Sequence, residues 1–581
     1  MFWRFGLTST PSAIDILLEK KNVRLETLLA EPDIIQETQS HNPKLIAFLS
    51  KRESLLDLVS LFFCLEMDQQ RLPLIACEIL ACEIPEIIDA IVIDHLDVLQ
   101  AFWNFLNIPY SSQATYSFQS SYFCKIITVF ITKRTTEMLL FIKSSPSQLD
   151  KILSHLQSSA VMEFLFSLIH LEELPEGKGT VQWLHDHGLL SNLIQRLDPN
   201  LETDQHHIAQ QCLCEIIRIS QTSLMDSPSI GTNDLVRQLI SKQTMQRLVE
   251  FMLDRNAPHL TSTLIHSVTV IIDLIRHNNS DLDQQTDTSA MPESHVCLAD
   301  MLQVLTSHIH RFNQILVADQ TRTTLGFDRL KICELYAELL HCSNMSSLNQ
   351  QQSSVGDALK IEFVDQKTIP ICIDLFFAFP WNNFLHYVVY DTLHQVFNGP
   401  MDNQHNLRLA ISVFEQARLT DKIIEAQDKN DKACAQPKGT RLGYMGHLTL
   451  IADEIMKLFE GYPESVISAV QDTVDLDAWS MYCHQQLKET KAKDSLVLGQ
   501  VFDETHIILN ESYWINPSTF NQVSTQQKNL KKDLDPFSTV EEEKIYTQKS
   551  AWEEKHGSGF SDLDLSVIRL DDPKKDITAN G

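Results

Sequence analysis

The spacing of apolar residues constrains this fold most, because it follows the period of an α-helix along most of the chain. Stretches of roughly 12 to 20 residues with this spacing alternate with short polar breaks. One apolar face consists of Leu264, Val268, Ile271, Ile272 and Ile275. Only 16 Gly and 20 Pro occur among 581 residues, which leaves few of the tight turns that sheet-rich folds need. The sequence therefore predicts an all-α protein.

The order of these helices favours an armadillo- or HEAT-like helical-repeat solenoid, in which each layer packs only on its neighbours. The first layer must cover its outer face, and the aromatic start MFWRFG is expected to fold back over it. A partner-docking peptide is the alternative for this start. We predict a repeat domain over residues 1–490, with an N-terminal end-plug at 1–11, and a largely disordered acidic tail over 491–581.

Three long polar stretches inside the repeat domain are predicted to be loops. They are poor in aromatic residues and rich in Asn, Asp, Gln and Ser. They cover residues 277–295, 343–357 and 426–440.

Charge and cysteine usage exclude several classes of partner and site. The chain has 47 Lys and Arg against 76 Asp and Glu, a net charge of -29, which repels nucleic acid and anionic membrane surfaces. No apolar run approaches the roughly 20 residues that span a bilayer. The 12 cysteines form no CxxC pair, so we expect reduced thiols in an intracellular protein.

Motifs of catalysis are absent from the sequence. It contains no GxxxxGK[ST] loop, no GxGxxG after a strand, no HExxH and no GxSxG. Its paired histidines have no carboxylate or thiol at metal-ligand spacing. We therefore expect no catalytic residue, no metal site and no cofactor.

The first candidate partner-binding stretch is DLFFAFPWNNFLHYVVYDTL, which surrounds a predicted helix start. Trp381, Asn382, Asn383 and His386 lie at that start, where Trp and Asn side chains can engage a partner's backbone. The structural alternative is that Pro380 begins the helix, the Trp ring packs into the previous layer and one Asn satisfies a turn.

The second candidate stretch is GTRLGYMGHLTLIADEI. Gly443 and Gly446 are expected to permit close backbone approach. Arg441, Tyr444 and His447 are expected to offer hydrogen-bond donors at the start of an amphipathic helix. The alternative is an ordinary loop followed by a helix cap.

Several long strings of this sequence resemble one known family. MFWRFG, CKIITVFITKRTTEMLLFIK, DLFFAFPWNNFLHYVVYD and RLGYMGHLTLIA occur in the same order in the SAPS-domain family, the regulatory subunits of protein phosphatase 6 and its fungal counterpart. The resemblance implies a non-catalytic scaffold that binds a type-2A-like serine/threonine phosphatase catalytic subunit and directs it to substrates. In some assemblies it implies an ankyrin-repeat third subunit as well.

An adaptor solenoid for trafficking or signalling, without a phosphatase, is the alternative function. In that case the acidic tail would be the binding element. The expected location is the cytoplasm, with the nucleus as a second compartment.

Overall fold

The computed structural model describes residues 12–20, 23–64, 71–221, 229–283, 296–318, 322–345 and 350–494. Within these ranges the chain consists of helices and their connections, without a β-strand, which confirms the all-α prediction. The predicted end-plug at 1–11 lies outside the described residues, as does the predicted tail from 495 onward. Both stay predictions. Residues 491–494 were assigned to the tail but are helical.

Short helices build the N-terminal part. They are α1 (Ala13–Leu18), α2 (Leu25–Leu29), α3 (Ile34–Gln39), α4 (Pro43–Leu49), α5 (Arg52–Phe63), α6 (Arg71–Leu80), α7 (Pro85–Asp89) and α8 (Leu96–Trp103). Local sequence sets several starts. The side chain of Asn42 accepts hydrogen bonds from two backbone N–H groups of α4, and Pro43 occupies the first position of that helix.

The next six helices surround an aromatic core. They are α9 (Ala114–Lys133), α10 (Thr135–Lys143), α11 (Ser147–Leu153), α12 (Ser159–His170), α13 (Thr180–Asp186) and α14 (Leu189–Gln195). Trp103 is buried there, with its ring 5.8 Å from that of Phe123 in an edge-to-face arrangement. Its indole N–H donates to Gln148 Oε1 at 2.8 Å, so the one polar group of the ring is satisfied.

Longer helices follow from residue 203. They are α15 (Thr203–Gln221), α16 (Asp234–Ile240), α17 (Lys242–Met252), α18 (Leu260–Asp283), α19 (Ala299–Thr306), α20 (Ile309–Val317), α21 (Phe327–Asn344), α22 (Gln350–Asp365), α23 (Thr368–Ala378), α24 (Asn383–Asn398), α25 (Gln404–Glu415), α26 (Leu419–Cys434), α27 (Met445–Gly461), α28 (Ser468–Val470), α29 (Leu476–Tyr482) and α30 (Lys488–Asp494). None of the helices in the described ranges combines the length and apolar character needed to cross a bilayer.

These helices repeat in groups of three. Helix α15 packs on α18, α18 on α21, α21 on α24, and α24 on α27, so every third helix forms one row. A second row runs from α19 through α22 and α25 to α28. Because each group contacts the groups before and after it, this arrangement confirms the predicted helical-repeat solenoid. We call α15, α18, α21, α24 and α27 the ladder helices.

The three predicted loops are wrong in part, because helices extend into each of them. Residues 277–283 belong to α18, residues 350–357 to α22, and residues 426–434 to α26. Buried hydrogen bonds account for the polar composition of the first. Asn278 accepts from the backbone N–H of Val296 at 2.8 Å, which composition alone does not reveal. Residues 284–295 lie outside the described residues.

Candidate partner-binding site

The two candidate stretches lie against each other in the structure. One is the turn 379–383 between α23 and α24, and the other is the loop 435–444 between α26 and α27. A β-carbon added at Gly443 would lie 2.6 Å from the carbonyl oxygen of Pro380 and 3.2 Å from Cε3 of Trp381. The expected close approach at Gly443 is therefore confirmed. The same expectation for Gly446 is wrong, because a β-carbon there would have no neighbour within 4 Å.

Side chains of two helices hold the end of the loop 435–444 in place. The backbone N–H of Leu442 donates to Asn430 Oδ1 at 3.0 Å, and Asn430 is itself buried in α26. Arg441 forms a two-armed ion pair with Asp494, with Nη1–Oδ1 and Nη2–Oδ2 distances of 2.9 Å and 3.2 Å. Both side chains of the pair are less than half exposed.

Beneath the loop and the turn lies a small buried aromatic group. Tyr444 is only 3% exposed, and its ring stacks on Phe376 with 5.6 Å between centroids. Fully buried His386 has its ring 5.9 Å from that of Tyr444, and its Nε2 lies 2.9 Å from the carbonyl oxygen of Phe379. Because a carbonyl can only accept, Nε2 carries the proton. Burial lowers the pKa of His386 to about 4, so the ring is neutral at physiological pH.

Exposed apolar side chains occur on the turn 379–383 and on three neighbouring ladder helices. Trp381 is 63% exposed, although it sits directly before α24. Other large apolar side chains are exposed at the start of α21, on the first turns of α24 and on α27, and these three helices pack side by side. We call Phe327, Trp381, Phe384, Tyr387 and Leu450 the exposed apolar patch. Such patches on soluble proteins are typical of protein–protein contact sites.

The seven residues named from sequence divide into two groups. Five have side chains that reach the surface at least in part: Trp381, Asn382, Asn383, Arg441 and His447. Asn382 also accepts from the backbone N–H of Leu385 at 3.0 Å, so it caps α24 as the structural alternative expected. His386 and Tyr444 are buried. This corrects their expected role: the two side chains pack beneath the site and are not part of its exposed surface. The assignment to partner binding stays a prediction.

Sequence analysis missed four members of the exposed apolar patch. Phe384 and Tyr387 are three positions apart and fall off the core face of α24, which contains Leu385, Val388 and Val389. An aromatic residue off the core face of an amphipathic helix is a signal that the sequence does contain. Phe327 and Leu450 join them only through the packing of neighbouring ladder helices.

A buried carboxylate links α24 to α27 near the patch. Glu454 accepts from Asn398 Nδ2 at 2.7 Å, lies 3.3 Å from His394 Nδ1 and pairs with Lys457 Nζ at 3.1 Å. Burial opposes its ionisation, but the hydrogen bonds from these three side chains outweigh burial and lower the pKa of Glu454 to about 2. The hydrogen bond between Glu454 and His394 raises the pKa of His394. In the part of the chain that the structure describes, no three His, Cys, Asp or Glu side chains are placed to hold a metal ion.

We expect Gly443→Ala to displace the loop 435–444, because the added β-carbon meets the backbone carbonyl of Pro380 and not a flexible side chain. Overpacking of this kind costs about 1–3 kcal/mol. Hydrogen exchange of the loop amides should rise in this variant.

Gly446→Ala is the matched control, because nothing lies within 4 Å of its added β-carbon. We expect unchanged exchange of the loop in this variant, and helix α27 no less stable than in the wild type. Equal loop exchange in the two variants would contradict the proposed close packing at Gly443.

Comparison with known proteins gives one family and several relatives. The family model described as SAPS, SIT4 phosphatase-associated protein, matches residues 127–496, which include both candidate stretches. The extragenic suppressor of kinetochore protein 1 of Schizosaccharomyces pombe is 31% identical, over 86% of this chain and 78% of that protein. The serine/threonine-protein phosphatase 6 regulatory subunit 3-A of Xenopus laevis is 28% identical, over 86% of this chain and 60% of its own length.

A budding-yeast relative completes the comparison. The SIT4-associating protein SAP185 of Saccharomyces cerevisiae is 27% identical, over 77% of this chain and 55% of that protein. The chain thus spans little more than half the length of the frog and budding-yeast relatives.

Proposed function

Because the chain belongs to the SAPS family of SIT4 phosphatase-associated proteins, we propose that it is a non-catalytic regulatory subunit of a type-2A-like serine/threonine phosphatase. The observation that carries this proposal is the family match over residues 127–496, which contains the whole candidate site. Two relatives support it by their names, as a phosphatase 6 regulatory subunit and a SIT4-associating protein. Both names describe regulation or association and not catalysis.

The proposed mechanism is scaffolding. A catalytic subunit of the protein phosphatase 6 type docks on this chain and hydrolyses phosphoserine and phosphothreonine with its own metal site. This chain changes which substrates reach that site, because tethering raises the local concentration of a bound substrate. With a net charge of -29, its surface favours basic substrate segments, and salt would weaken their recruitment.

The candidate site has the features of a docking surface for that catalytic subunit. The exposed apolar patch supplies large apolar side chains, which dominate the energy of many protein interfaces. The exposed side chain of Asn383 supplies a polar group beside it. The rings of His386 and Tyr444 are buried beneath the turn 379–383 and the loop 435–444 and support both segments. The two segments therefore lose less conformational freedom when a partner binds.

Two finer proposals rest on the family resemblance alone. One is an ankyrin-repeat third subunit in the same assembly. The other is a cytoplasmic location with a nuclear fraction. The third subunit would be detected in the affinity purification described next. The location would be measured by fractionation of the cells.

The decisive experiment is affinity purification of the tagged full-length chain from its own cells, followed by mass spectrometry and a phosphatase assay. We expect a stoichiometric type-2A-like catalytic subunit and activity on phosphoserine peptides in the eluate. A trafficking or signalling partner in place of the phosphatase would overturn the proposal in favour of the adaptor. Deletion of residues 495–581 then separates the two, because an adaptor that binds through its tail loses its partner and a phosphatase subunit keeps it.

A further inference from the structure

The guanidinium of Arg441 already has a carboxylate partner within this chain. Both of its terminal nitrogens lie within 3.2 Å of Asp494, in a two-armed geometry that uses both carboxylate oxygens. A guanidinium engaged in this way presents fewer donors to another protein. The structure therefore offers a role for Arg441 other than contact with a partner.

Helix α30, which contains Asp494, also contacts the helix that follows the loop. Lys491 Nζ lies 3.0 Å from Asp453 Oδ1 of α27. Residues three apart in a helix share one face, so Lys491 and Asp494 lie on the same side of α30. That side faces α27 and the loop before it. The end of one helical run thus contacts both the loop 435–444 and the helix to which that loop leads.

Backbone contacts hold the first part of the loop on the end of α26, because the N–H groups of Ala435 and Gly439 donate to the carbonyls of Asp431 and Gln436 at 3.0 Å and 2.8 Å. Residues 435–441 are exposed throughout, and the next residue is fixed by the hydrogen bond from its backbone N–H to Asn430. Gly443 packs on the turn 379–383. The ion pair of Arg441 with Asp494 ties the last exposed residue of the loop, immediately before the site, to another helix.

The extent of the family match agrees with a role for α30. The match continues to residue 496, past the predicted domain boundary at 490 and past the end of α30 at Asp494. Helix α30 thus belongs to the segment that defines the family, although its sequence KETKAKD is short, polar and without a buried residue. It is the polar end of a helical run that continues without a break over residues 476–494, and the earlier residues Trp479, Tyr482, Cys483 and Leu487 of that run are buried. The core therefore fixes the run, and its exposed end brings Lys491 and Asp494 to α27 and the loop.

We propose that Asp494 is a positioning residue of the partner-binding site and that α30 latches the loop 435–444 against the turn that carries Trp381. Arg441 acts through Asp494 and not by touching the catalytic subunit. Lys491 holds the latch on α27 through Asp453. The inference rests on the proposed function for what the site binds, but the latch itself is a property of this chain alone.

The test uses the full-length chain with Arg441→Gln, Asp494→Asn, the double variant, and the charge exchange of Arg441→Asp with Asp494→Arg. The probe is the purified phosphatase 6-type catalytic subunit. Each single variant should weaken its binding roughly two- to fivefold, the range expected for one exposed ion pair. The double variant should bind no more weakly than either single variant, because both remove the same contact. The charge exchange should restore binding.

Hydrogen exchange of the loop 435–444 is the second measurement, and it needs no partner. We expect faster exchange in both single variants and wild-type exchange after the charge exchange. Asp421→Asn is the control, because it removes an exposed ion pair with Arg418 at the start of α26 and should change neither measurement.

The outcomes separate the latch from the proposed function. Unchanged loop exchange in Asp494→Asn would overturn the latch. Loss of binding in Arg441→Gln with full binding in Asp494→Asn would show instead that Arg441 contacts the catalytic subunit directly. If the wild-type chain binds no catalytic subunit, the proposed function fails, and loop exchange alone still decides the latch.

Discussion

Replacing Trp381 and Arg441 together with Ala is expected to weaken binding of the type-2A-like catalytic subunit by at least about 30-fold. The Trp ring is 63% exposed, so its removal takes away apolar contact area without opening a cavity in the core. Removal of Arg441 frees the loop from Asp494, so the remaining contact surface is held less firmly. The affinity is measured by titration, with circular dichroism to confirm that the helical content is unchanged.

Leu140→Ala is the matched control for this pair of changes. Leu140 is 68% exposed on α10, which packs against α9 in the N-terminal part of the chain and not against the ladder helices α24 or α27. Its truncation should leave the affinity unchanged. Wild-type affinity in the folded Trp381→Ala and Arg441→Ala double variant would remove this site from the phosphatase contact.

The all-α fold could be predicted because a helix needs only its own periodic sequence to reveal its buried face. The grouping in threes could not be predicted, because it depends on contacts between residues far apart in sequence. Gln395 Nε2 of α24, for example, donates to the backbone carbonyl of Ala337 in α21 at 3.3 Å. Such a contact leaves no pattern in a chain without an exact repeat.

The candidate site could be predicted as two stretches but not as one surface. The glycine in RLGYMG indicated a close backbone approach, and the structure shows that the approach is to the carbonyl of Pro380. The burial of His386 and Tyr444 was not predictable, since their polar side chains resemble surface donors until neighbouring helices cover them. For Trp381 the structural alternative was wrong in the opposite direction, because it placed the ring in the previous layer and the ring is mostly exposed.

Polar composition misled the loop predictions for a related reason. The stretch at 426–440 contains Asp, Lys and Asn, yet its first half continues α26 because Gln427 and Asn430 face inward. Asn430 then accepts the hydrogen bond that anchors the loop before α27. The buried amide of Asn430 therefore packs inside the helix and also anchors the loop of the site. The polar sequence around it resembles that of a solvated loop.

Glu454→Gln is expected to destabilise the contact between α24 and α27 by about 3 kcal/mol near pH 6. The folded pKa of Glu454, about 2, lies below its ordinary value of 4.5. Its ionised form therefore stabilises the folded state above pH 4.5, and this stabilisation is lost as the pH falls from 4.5 to 2. The pKa of His394 is raised, so its contribution is fully present below its ordinary value of 6.5 and is lost as the pH rises through its folded pKa.

The difference between Glu454→Gln and the wild type should therefore be largest between pH 4.5 and 6.5, where the carboxylate is ionised and His394 is protonated. It should fall to roughly half by pH 3. The measurement is urea unfolding followed by circular dichroism at several pH values. Asp428→Asn is the control, because it removes an exposed carboxylate that pairs with Lys432 on α26 and should change stability little at any pH. A Glu454→Gln effect that does not vary with pH would mean that this residue holds α24 to α27 by packing and not by charge.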